Sequence, residues 1–394
     1  MKILLIHDYP TLGGGAELMM QTLRSGLRQR GHDARLFTSS ARSLAGPSIA
    51  DYECLGTTSS FRTLLQTFNP FAFWKLRQVL AEFQPDIVHV RIFLTQLSPS
   101  ILPLLRDIPS IYHVAWYRPI CPLGTKMLPD GTSCEFPVGG ACYRQGCLPL
   151  QDWLPLMLQM KLWREWRDAF NLIVANSSAV KERLVAEGFE SVEVVWNGIP
   201  IRPQRPPLTR PPTVVFAGRL VAEKGADVLL QAFAQVVRAI PEARLLIAGE
   251  GPERDRLTSL IAQLELKASV SLLGHLSRSE MDRQFANAWV QVVPSRWAEP
   301  FGIVAIEAMM SAIAVIASGA GGLAELVEPG KTGFLVPPND VDGLAEALLN
   351  LLQNRELAET FGQAGRERAL AHFSEVTFVD RFLTLYDQSL KTPR

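Results

Sequence analysis

The sequence predicts an α/β protein built from two doubly wound domains in tandem. Short apolar runs alternate with longer helical patterns in both halves, as is typical of parallel βαβ units. A proline-rich segment of low periodicity, residues 196–212, separates the two series and predicts a semi-rigid linker. The length of 394 residues is also more than one ordinary core requires.

Composition narrows the class of protein further. Apolar residues make up 47% and charged residues 20% of the chain, so both halves can bury a core and disorder is not expected. The formal net charge is zero, which gives no support to a nucleic-acid partner. The first apolar run is too short for a signal peptide, and no run approaches the roughly 18 residues of a spanning helix. We therefore expect a cytoplasmic protein whose membrane contact, if it has one, is peripheral.

The elements of the first half follow in order along the chain. A strand at 3–6 leads through the glycine run 13–15 into a helix at 16–30 and a second strand at 33–38. Further strands are predicted at 86–90, 110–114 and 172–175.

The same alternation of short apolar runs and helical patterns continues after the linker. A helix is predicted at 226–239, and the last stretch, from about 374 to 390, reads as an amphipathic helix. Strands are predicted at 213–217, 244–248, 270–273, 290–294, 315–317 and 333–336. Ligands of such sheets bind outside the carboxyl ends of the strands, so the loops that follow them are the places to search for chemistry.

The strongest motif runs from Glu299 to Glu307, with seven residues between the two carboxylates. Pro300 and Gly302 mark a turn, and the helical pattern starts at Ile303. A helix N-terminus presents free amides and a partial positive charge, which suits a diphosphate. Glutamates near a helix start also have an ordinary explanation, because they interact favourably with the helix dipole.

A second motif places two cations just after a predicted strand. Gly218 and Arg219 follow the strand at 213–217, and Lys224 comes five residues after Arg219. A guanidinium and an ammonium at this position can bind both phosphates and neutralise the departing diphosphate. A solvated loop with two basic residues is the alternative.

Three further motifs each have a structural and a functional interpretation. The turn at 249–252, which starts with Gly249, permits close ligand approach or simply connects a strand to a helix. The glycine-rich run at 319–322 is either an anion-binding nest or a flexible turn. Asp340 and Asp342 have the spacing of a metal-binding pair, but they open a helix and capping explains them well. We assign no catalytic metal, because basic residues already neutralise the charge of the diphosphate.

Together these motifs resemble glycosyltransferase family 4. The resemblance rests on Arg219 with Lys224, the turn at 249–252, the Glu299–Glu307 pair and the segment 321–336, within a match of about 213–349. The turn at 13–17, His113 and the segment 176–178 are similar too. It implies the GT-B fold, in which two Rossmann-like domains face a cleft, and transfer with retention of anomeric configuration. The expected domains are residues 1–197 on the acceptor side and 198–373 on the donor side, with a final helix at about 374–394 packing back on the first domain.

The same resemblance implies roles for individual residues. Arg219 and Lys224 hold the donor diphosphate, Glu307 binds the ribose and Glu299 contacts the sugar hydroxyls. The implied catalytic residues are His113, Glu299, Arg219 and Lys224. The implied donor-binding residues are Gly14, Gly15, Gly218, Arg219, Lys224, Gly249, Glu299, Phe301, Gly302, Ile303 and Glu307. The implied partners are a nucleotide-diphosphate sugar donor and a glycan or lipid-linked acceptor used in cell-surface polysaccharide or glycolipid synthesis.

His113 would lie near the anomeric carbon, although a lone histidine at a strand end is often a structural hydrogen-bonding group. Many relatives have an aspartate after this histidine, where this chain has Val114. The difference weakens the assignment of a general base. In the family the leaving diphosphate is thought to help deprotonate the acceptor.

Four of the five cysteines fall within 27 residues. They are Cys121, Cys134, Cys142 and Cys147. In a reducing compartment such a cluster favours a structural zinc site, with free buried thiols or a disulfide as alternatives.

Two segments combine aromatic and basic residues in a way that suits a bilayer interface. Residues 61–78 carry Phe61, Leu64, Leu65, Phe68, Phe71, Phe73 and Trp74 with no acid, and residues 153–167 carry three tryptophans with Lys161, Arg164 and Arg167. Both segments could equally pack on the core or frame an acceptor pocket.

Two other functions remain open from the sequence. One is a nucleotide-sugar epimerase of related fold, and the other is a nucleotide-sugar-binding protein without activity. The complete set of Arg219, Lys224, Glu299 and Glu307 argues against the second, because binding alone would not need all four.

Overall fold

The computed structural model describes residues 1–11, 14–42, 46–59 and 61–391. Gly13 of the predicted glycine run and the last residues of the predicted C-terminal helix lie outside these ranges. The chain divides into two compact units. Unit 1 comprises Met1–Pro200 and Glu375–Arg394, and unit 2 comprises Ile201–Ser374.

Unit 1 contains a seven-stranded parallel sheet in the order β3-β2-β1-β4-β5-β6-β7. Its strands are β1 Lys2–His7, β2 Asp33–Ser39, β3 Tyr52–Cys54, β4 Ile87–Ile92, β5 Ser110–Val114, β6 Leu172–Ala175 and β7 Val192–Val194. Its first helices are α1 Gly15–Gln29, α2 Arg62–Thr67, α3 Pro70–Phe83, α4 Ala141–Arg144, α5 Leu150–Trp166 and α6 Ser178–Ala186. The apolar run of β1 is buried on both faces, as expected for a strand inside a parallel sheet.

Unit 2 contains a six-stranded parallel sheet in the order β10-β9-β8-β11-β12-β13. Its strands are β8 Thr213–Ala217, β9 Arg244–Ala248, β10 Val270–Gly274, β11 Val290–Val293, β12 Ala314–Ser318 and β13 Gly333–Val336. Its helices are α7 Ala226–Ala239, α8 Arg254–Gln263, α9 Arg278–Gln284, α10 Ile303–Met310, α11 Leu323–Leu326, α12 Val341–Gln353 and α13 Arg355–His372. The α/β prediction of two doubly wound sheets is confirmed.

The last helix, α14 Glu375–Lys391, belongs to unit 1, where it packs on α1. A Cβ added at Gly26 of α1 would lie 2.5 Å from Val379 Cγ2, so only glycine permits this close approach. Tyr386 reaches the sheet, with its hydroxyl 2.7 Å from Nδ1 of His89. The helix therefore covers β4 and β5 at His89 and His113.

Several local predictions can be compared with the described elements. Residues 201–212 form neither helix nor strand, which confirms the irregular, proline-rich connection. The side chain of Asp340 accepts a hydrogen bond from the backbone N–H of Gly343 and caps α12, so the capping interpretation is confirmed. The two edge strands β3 and β7 were not predicted, because three residues are too few to show a period of two.

Candidate functional site

The residues of the two strongest motifs come together at the carboxyl edge of the sheet of unit 2. The strand β8 lies between β9 and β11, so the order of the strands reverses at this point. Crevices at such reversals are where doubly wound sheets bind ligands. The loops after β8 and β11 meet here, because a Cβ added at Gly225 would lie 2.0 Å from the carbonyl oxygen of Pro294. Gly225 has a φ of 66°, which also favours glycine.

Lys224 and Glu299 form an ion pair across these two loops. The Nζ atom of Lys224 lies 2.8 Å from both carboxylate oxygens of Glu299. The Ser295 hydroxyl and the Trp297 indole N–H each donate to the same carboxylate at 2.9 Å. Lys224 also lies 5.4 Å from the centre of the Trp297 ring, within the range of a cation–π contact. Sequence analysis predicted both charged residues but missed Ser295 and Trp297.

The environment of Glu299 keeps its carboxylate charged. Burial raises the pKa of this group, but the charge of Lys224 and the hydrogen bonds from Lys224, Ser295 and Trp297 outweigh burial and lower the pKa below its usual value. Of the two side chains, Lys224 is 19% and Glu299 is 11% exposed. The pair is therefore fixed in position while part of its surface stays open.

The helix α10 begins directly beyond Glu299. Its N-cap is Gly302, which has a φ of 107° and no side chain to cap the helix. A Cβ added there would lie 2.4 Å from Leu323 Cδ2, so the turn into α10 packs tightly on α11. Phe301 is buried, and Ile303 opens the helix. The first amides of α10 thus point toward the loop that contains Glu299, an arrangement that suits an anion.

Glu307 lies one turn inside α10, as predicted from the sequence. Its Oε1 atom lies 2.7 Å from Arg202 and 3.4 Å from Arg278. Arg202 also donates to Asp282 at 2.9 Å. Burial raises the pKa of Glu307, while the two arginines oppose this effect. Neither arginine was predicted to contact Glu307, because both are distant from it in the chain and belong to no motif.

Arg219 differs from Lys224 in its exposure. Its side chain is 71% exposed, and its guanidinium lies 3.6 Å from the carboxylate of Glu223. The ion pair is therefore at the surface, where such contacts contribute little to stability. The role of Arg219 as a second phosphate ligand stays a prediction.

The loops after β8 and β9 contact each other at Gly218 and Gly249. A Cβ added at Gly249 would lie 1.8 Å from the carbonyl oxygen of Gly218, and its φ is 146°. Gly218 also donates its N–H to Ala248 at 3.0 Å. Close packing of two backbones explains why glycine stands at 249, and donor contact by either glycine stays a prediction.

The glycine-rich run after β12 supports the loop that carries Glu299. Gly321 forms an isolated parallel bridge with Glu299, and the N–H of Gly322 donates to the carbonyl oxygen of Glu299 at 2.7 Å. A Cβ added at Gly321 would lie 2.4 Å from that same carbonyl oxygen. The run therefore has a packing role that neither sequence interpretation, the anion nest or the flexible turn, included.

His113 lies in a different environment, inside unit 1. It is fully buried in β5, its Nδ1 lies 2.7 Å from Arg91, and its ring contacts Phe378 and Phe382 of α14. Burial and the charge of Arg91 hold the pKa of His113 well below its usual value, so the ring is neutral and accepts a hydrogen bond. This geometry gives no support to the predicted role of His113 beside the anomeric carbon. It matches the structural hydrogen-bonding interpretation.

The two described glycines of the first motif stand at the start of α1. Gly14 is the N-cap of this helix and Gly15 is its first residue. Glu17, in the first turn, lies 3.5 Å from Nε2 of the buried His7. Burial raises the pKa of Glu17, but the hydrogen bond and charge interaction with His7, a backbone hydrogen bond and the charge of Arg91 together outweigh burial and lower the pKa. Donor contact by Gly14 and Gly15 stays a prediction.

The four clustered cysteines line one small cavity of about 20 Å³ in unit 1. All of them are free thiols, so the disulfide alternative has no support. Within the described ranges, no three His, Cys, Asp or Glu side chains are arranged to hold a metal ion. The predicted zinc site would therefore need this loop to rearrange around the ion. Metal analysis and thiol alkylation of the purified protein test that prediction.

Comparison with known proteins places this geometry in a family. Residues 13–202 match Glycosyltransferase Family 4, and residues 200–368 match Glycosyl transferases group 1. The chain is 29% identical to a glycogen synthase of Mycobacterium tuberculosis over 311 residues, which cover 77% of this chain and 69% of that protein.

Solved structures show the same fold. Sucrose-phosphate synthase from Thermosynechococcus elongatus superposes with a TM-score of 0.77 at 24% identity, covering 98% of each chain. HepE from Anabaena, solved in complex with UDP and glucose, superposes with a TM-score of 0.70 at 22% identity, covering 98% of this chain and 99% of that chain. Since the two family matches follow one another along the chain and the fold agrees, the chain belongs to the GT-B glycosyltransferases of the family 4 and group 1 type.

Proposed function

We propose that the protein transfers a sugar, with retention of anomeric configuration, from a nucleoside-diphosphate donor to a glycan or lipid-linked acceptor. The products would serve the synthesis of a cell-surface polysaccharide or glycolipid. The observation that carries this proposal is the Lys224–Glu299 pair beside the N-terminus of α10. In this proposal unit 2 binds the donor and unit 1 binds the acceptor.

The role assigned to unit 2 is to stabilise the negative charge that develops on the donor diphosphate during transfer. When the bond between the sugar and the diphosphate breaks, negative charge accumulates on the departing phosphate. The ammonium of Lys224 and the first amides of α10 would stabilise that charge, and Arg219 would add a second cation. Because these groups supply the positive charge, the proposal includes no catalytic metal. Unchanged turnover after treatment with EDTA would support that part.

The Glu299 carboxylate has two tasks in this account. It holds Lys224 at the edge of the sheet through contacts of 2.8 Å, and its remaining hydrogen-bonding capacity would orient the sugar hydroxyls. Glu307 would bind the ribose, sharing its carboxylate with Arg202 and Arg278.

Removal of the acceptor proton is assigned to the departing diphosphate. The environment of His113 supports this assignment, because its imidazole is fully buried and hydrogen-bonded to Arg91. The new glycosidic bond then forms on the face from which the diphosphate leaves, and the anomeric configuration is kept.

A donor screen tests the proposal. The protein is incubated with UDP-, GDP- and ADP-sugars and a panel of glycan and lipid-linked acceptors, so that the sugar passes to an acceptor or to water. Release of nucleoside diphosphate is followed, and the anomer of the glycoside product is read by NMR. We expect turnover of at least one donor, a product with the donor's configuration, and a fall of about 100-fold in Glu299→Gln. The control Glu346→Gln removes an exposed carboxylate of α12 and should behave like the wild type.

Two outcomes would contradict the proposal. Conversion of a donor into an isomeric sugar without any acceptor would favour the epimerase alternative. Binding of donors with no turnover of any of them would favour a nucleotide-sugar-binding protein.

A further inference from the structure

One face of unit 1 is unusually apolar for a surface. It is formed by Phe61 and by the helices α2, α3 and α5, and we name it the α2–α3–α5 face. Its large apolar side chains, each more than half exposed, are Phe61, Leu64, Phe68, Phe71, Trp74, Leu150, Leu154 and Leu158. With about 100 Å² of accessible surface from each, they expose roughly 800 Å² of apolar area, more than the largest patch of a typical monomer.

The helices α2 and α5 are held together by specific hydrogen bonds, although they are far apart in sequence. Thr67 donates to the carbonyl oxygen of Pro155 at 3.1 Å, and Gln159 donates to the carbonyl oxygen of Gln66. The buried Arg118 bridges the two helices, donating to Gln66 at 3.2 Å and to Gln159 at 3.0 Å. The helices α2 and α5 therefore form parts of one surface, and α3 joins them through the segment Pro99–Leu105, which all three helices contact.

The exposed apolar residues are not required by the core. On α5 the core side is formed by Leu156, Met160 and Trp163, which are buried. Leu150, Leu154 and Leu158 follow a spacing of four residues and point outward. Of the two uses that the sequence left open for this segment, Trp163 serves the core, because its indole is buried and donates to the carbonyl oxygen of Pro119.

The same division holds for α3. Leu76 and Val79 pack inward, whereas Phe71 and Trp74 are 51% and 62% exposed. When the solvent-facing side of a helix is apolar as well as its core-facing side, the exposed side usually binds another protein or a membrane.

The charges around this face are mostly positive. Residues 61–81 contain Arg62, Lys75 and Arg77 and no acidic residue. Lys161 and Arg164 add exposed cations on α5, where Asp152 and Glu165 are the acids. Aromatic side chains flanked by cations fit the headgroup region of an anionic bilayer. A second copy of this face fits poorly, since a two-fold contact would bring the same cations together.

The face suits contact with a membrane surface and not insertion across it. In the ranges that the structure describes, we find no helix with the length and apolar character needed to cross a bilayer. The helix α5 has 17 residues and contains Lys161, Arg164 and Glu165.

We propose that the α2–α3–α5 face binds the interface of an anionic lipid bilayer, with Phe61, Leu64, Trp74 and Leu154 entering the acyl boundary and the cations contacting lipid headgroups. This docking concerns where the protein works, and it does not depend on which sugar is transferred. It would bring unit 1 to the surface at which a lipid-linked acceptor is found, and that last consequence alone rests on the proposed function.

Vesicle co-sedimentation of the full chain tests the docking. The probes are phosphatidylcholine vesicles with and without phosphatidylserine. We expect binding that requires phosphatidylserine and weakens as salt is raised. Two variants should each lose binding by at least about tenfold: Leu64→Ser with Trp74→Ser and Leu154→Ser, and Arg62→Glu with Lys75→Glu and Arg77→Glu.

Matched controls separate this effect from general changes in the protein. Val185→Ser with Val376→Ser removes exposed apolar groups from other parts of unit 1, and Arg238→Glu with Arg244→Glu and Lys267→Glu makes the same charge change in unit 2. Both controls should bind like the wild type. Circular dichroism and release of nucleoside diphosphate from a soluble donor should match the wild type in every variant, because no residue placed at the donor site is changed.

Three results would overturn the proposal. The first is absence of binding to phosphatidylserine vesicles, and the second is equal loss of binding in the control variants. The third is a concentration-dependent dimer, seen by light scattering without vesicle binding, that the apolar variant abolishes. That result would assign the face to a second copy of the chain.

Discussion

Charged side chains near the ends of parallel strands occur in both units, but with very different exposure. In unit 2, Lys224 and Glu299 stand in loops after β8 and β11, and their side chains are 19% and 11% exposed. In unit 1, Arg91 and His113 stand inside β4 and β5, and their exposures are 2% and 0%. A residue inside a strand faces the helices that cover the sheet, whereas a residue past its end faces the open edge.

This difference separates a site for chemistry from a structural network. The ion pair in unit 2 retains surface that a ligand can contact, and free helix amides lie beside it. The pair in unit 1 is closed over by Phe378 and Phe382 of α14, and burial lowers the pKa of Arg91 to about 9. We therefore expect mutations of the first pair to change turnover and mutations of the second to change stability.

The largest effect is expected from Lys224→Ala. Loss of the ammonium removes the fixed cation at the departing phosphate and should lower kcat/KM for the preferred donor by about 100- to 1000-fold. The control Lys331→Ala removes a lysine of unit 2 whose side chain is 71% exposed and should stay within about twofold of the wild type. Steady-state kinetics measure kcat/KM of both variants. Equal activity of the two would contradict a role for Lys224 in binding the donor.

The next effect is expected from His113→Ala, on stability. This change removes one of the two side-chain acceptors of the buried Arg91 guanidinium and leaves only Asn197, so it should destabilise unit 1 by about 3 kcal/mol. Urea unfolding followed by circular dichroism measures the shift, with the exposed His275→Ala as control. Turnover per folded molecule should stay within a few-fold of the wild type. Loss of turnover without loss of stability would contradict the structural role of His113 and would assign it a catalytic role.

A smaller effect is expected from Gly249→Ala, which tests the packing beneath the site. The new Cβ would lie 1.8 Å from the carbonyl oxygen of Gly218, so the loops after β8 and β9 must separate, at a cost of roughly 2 kcal/mol. Gly330→Ala is the matched control, because Gly330 also has a positive φ but no atom lies within 4 Å of the added Cβ. Its cost should be about 1 kcal/mol. Equal thermal shifts for the two variants would show that the loop contact is not required.

Much of the fold could be predicted from the sequence. Strands at 110–114, 172–175, 213–217, 244–248 and 333–336 have the predicted bounds, because each is a short apolar run ended by turn residues. The helix at 226–239 was predicted for a similar reason, since its buried and exposed residues alternate with the helical period.

The site was predicted only where its residues are neighbours in the sequence. Glu299 and Glu307 belong to one motif, and Lys224 stands close after a strand end. The contact of Arg202 with Glu307 joins residues 105 positions apart, and no local pattern indicates it. The hydrogen bonds from Ser295 and Trp297 to Glu299 are different, because a polar side chain and an indole so close to the carboxylate were a signal that sequence analysis overlooked.

Exposure was the property that sequence described least well. The sequence left a buried and an exposed interpretation open for His113 and for the segment of Trp163, and it did not separate the buried Trp163 from the exposed Leu154 of the same helix. Which side of a helix or strand is covered depends on elements elsewhere in the chain. The helix α14, which covers His113, begins more than 260 residues after it.

Calorimetric titration with nucleoside diphosphates tests the central claim most directly. The wild type, Lys224→Ala and Lys331→Ala are each titrated with UDP, GDP and ADP. The account predicts that the wild type and Lys331→Ala bind at least one of them equally well, and that Lys224→Ala binds it at least about tenfold more weakly, because the cation that contacts the diphosphate is gone. Equal affinity in all three proteins would contradict the assignment of the β8–β11 edge as the donor site.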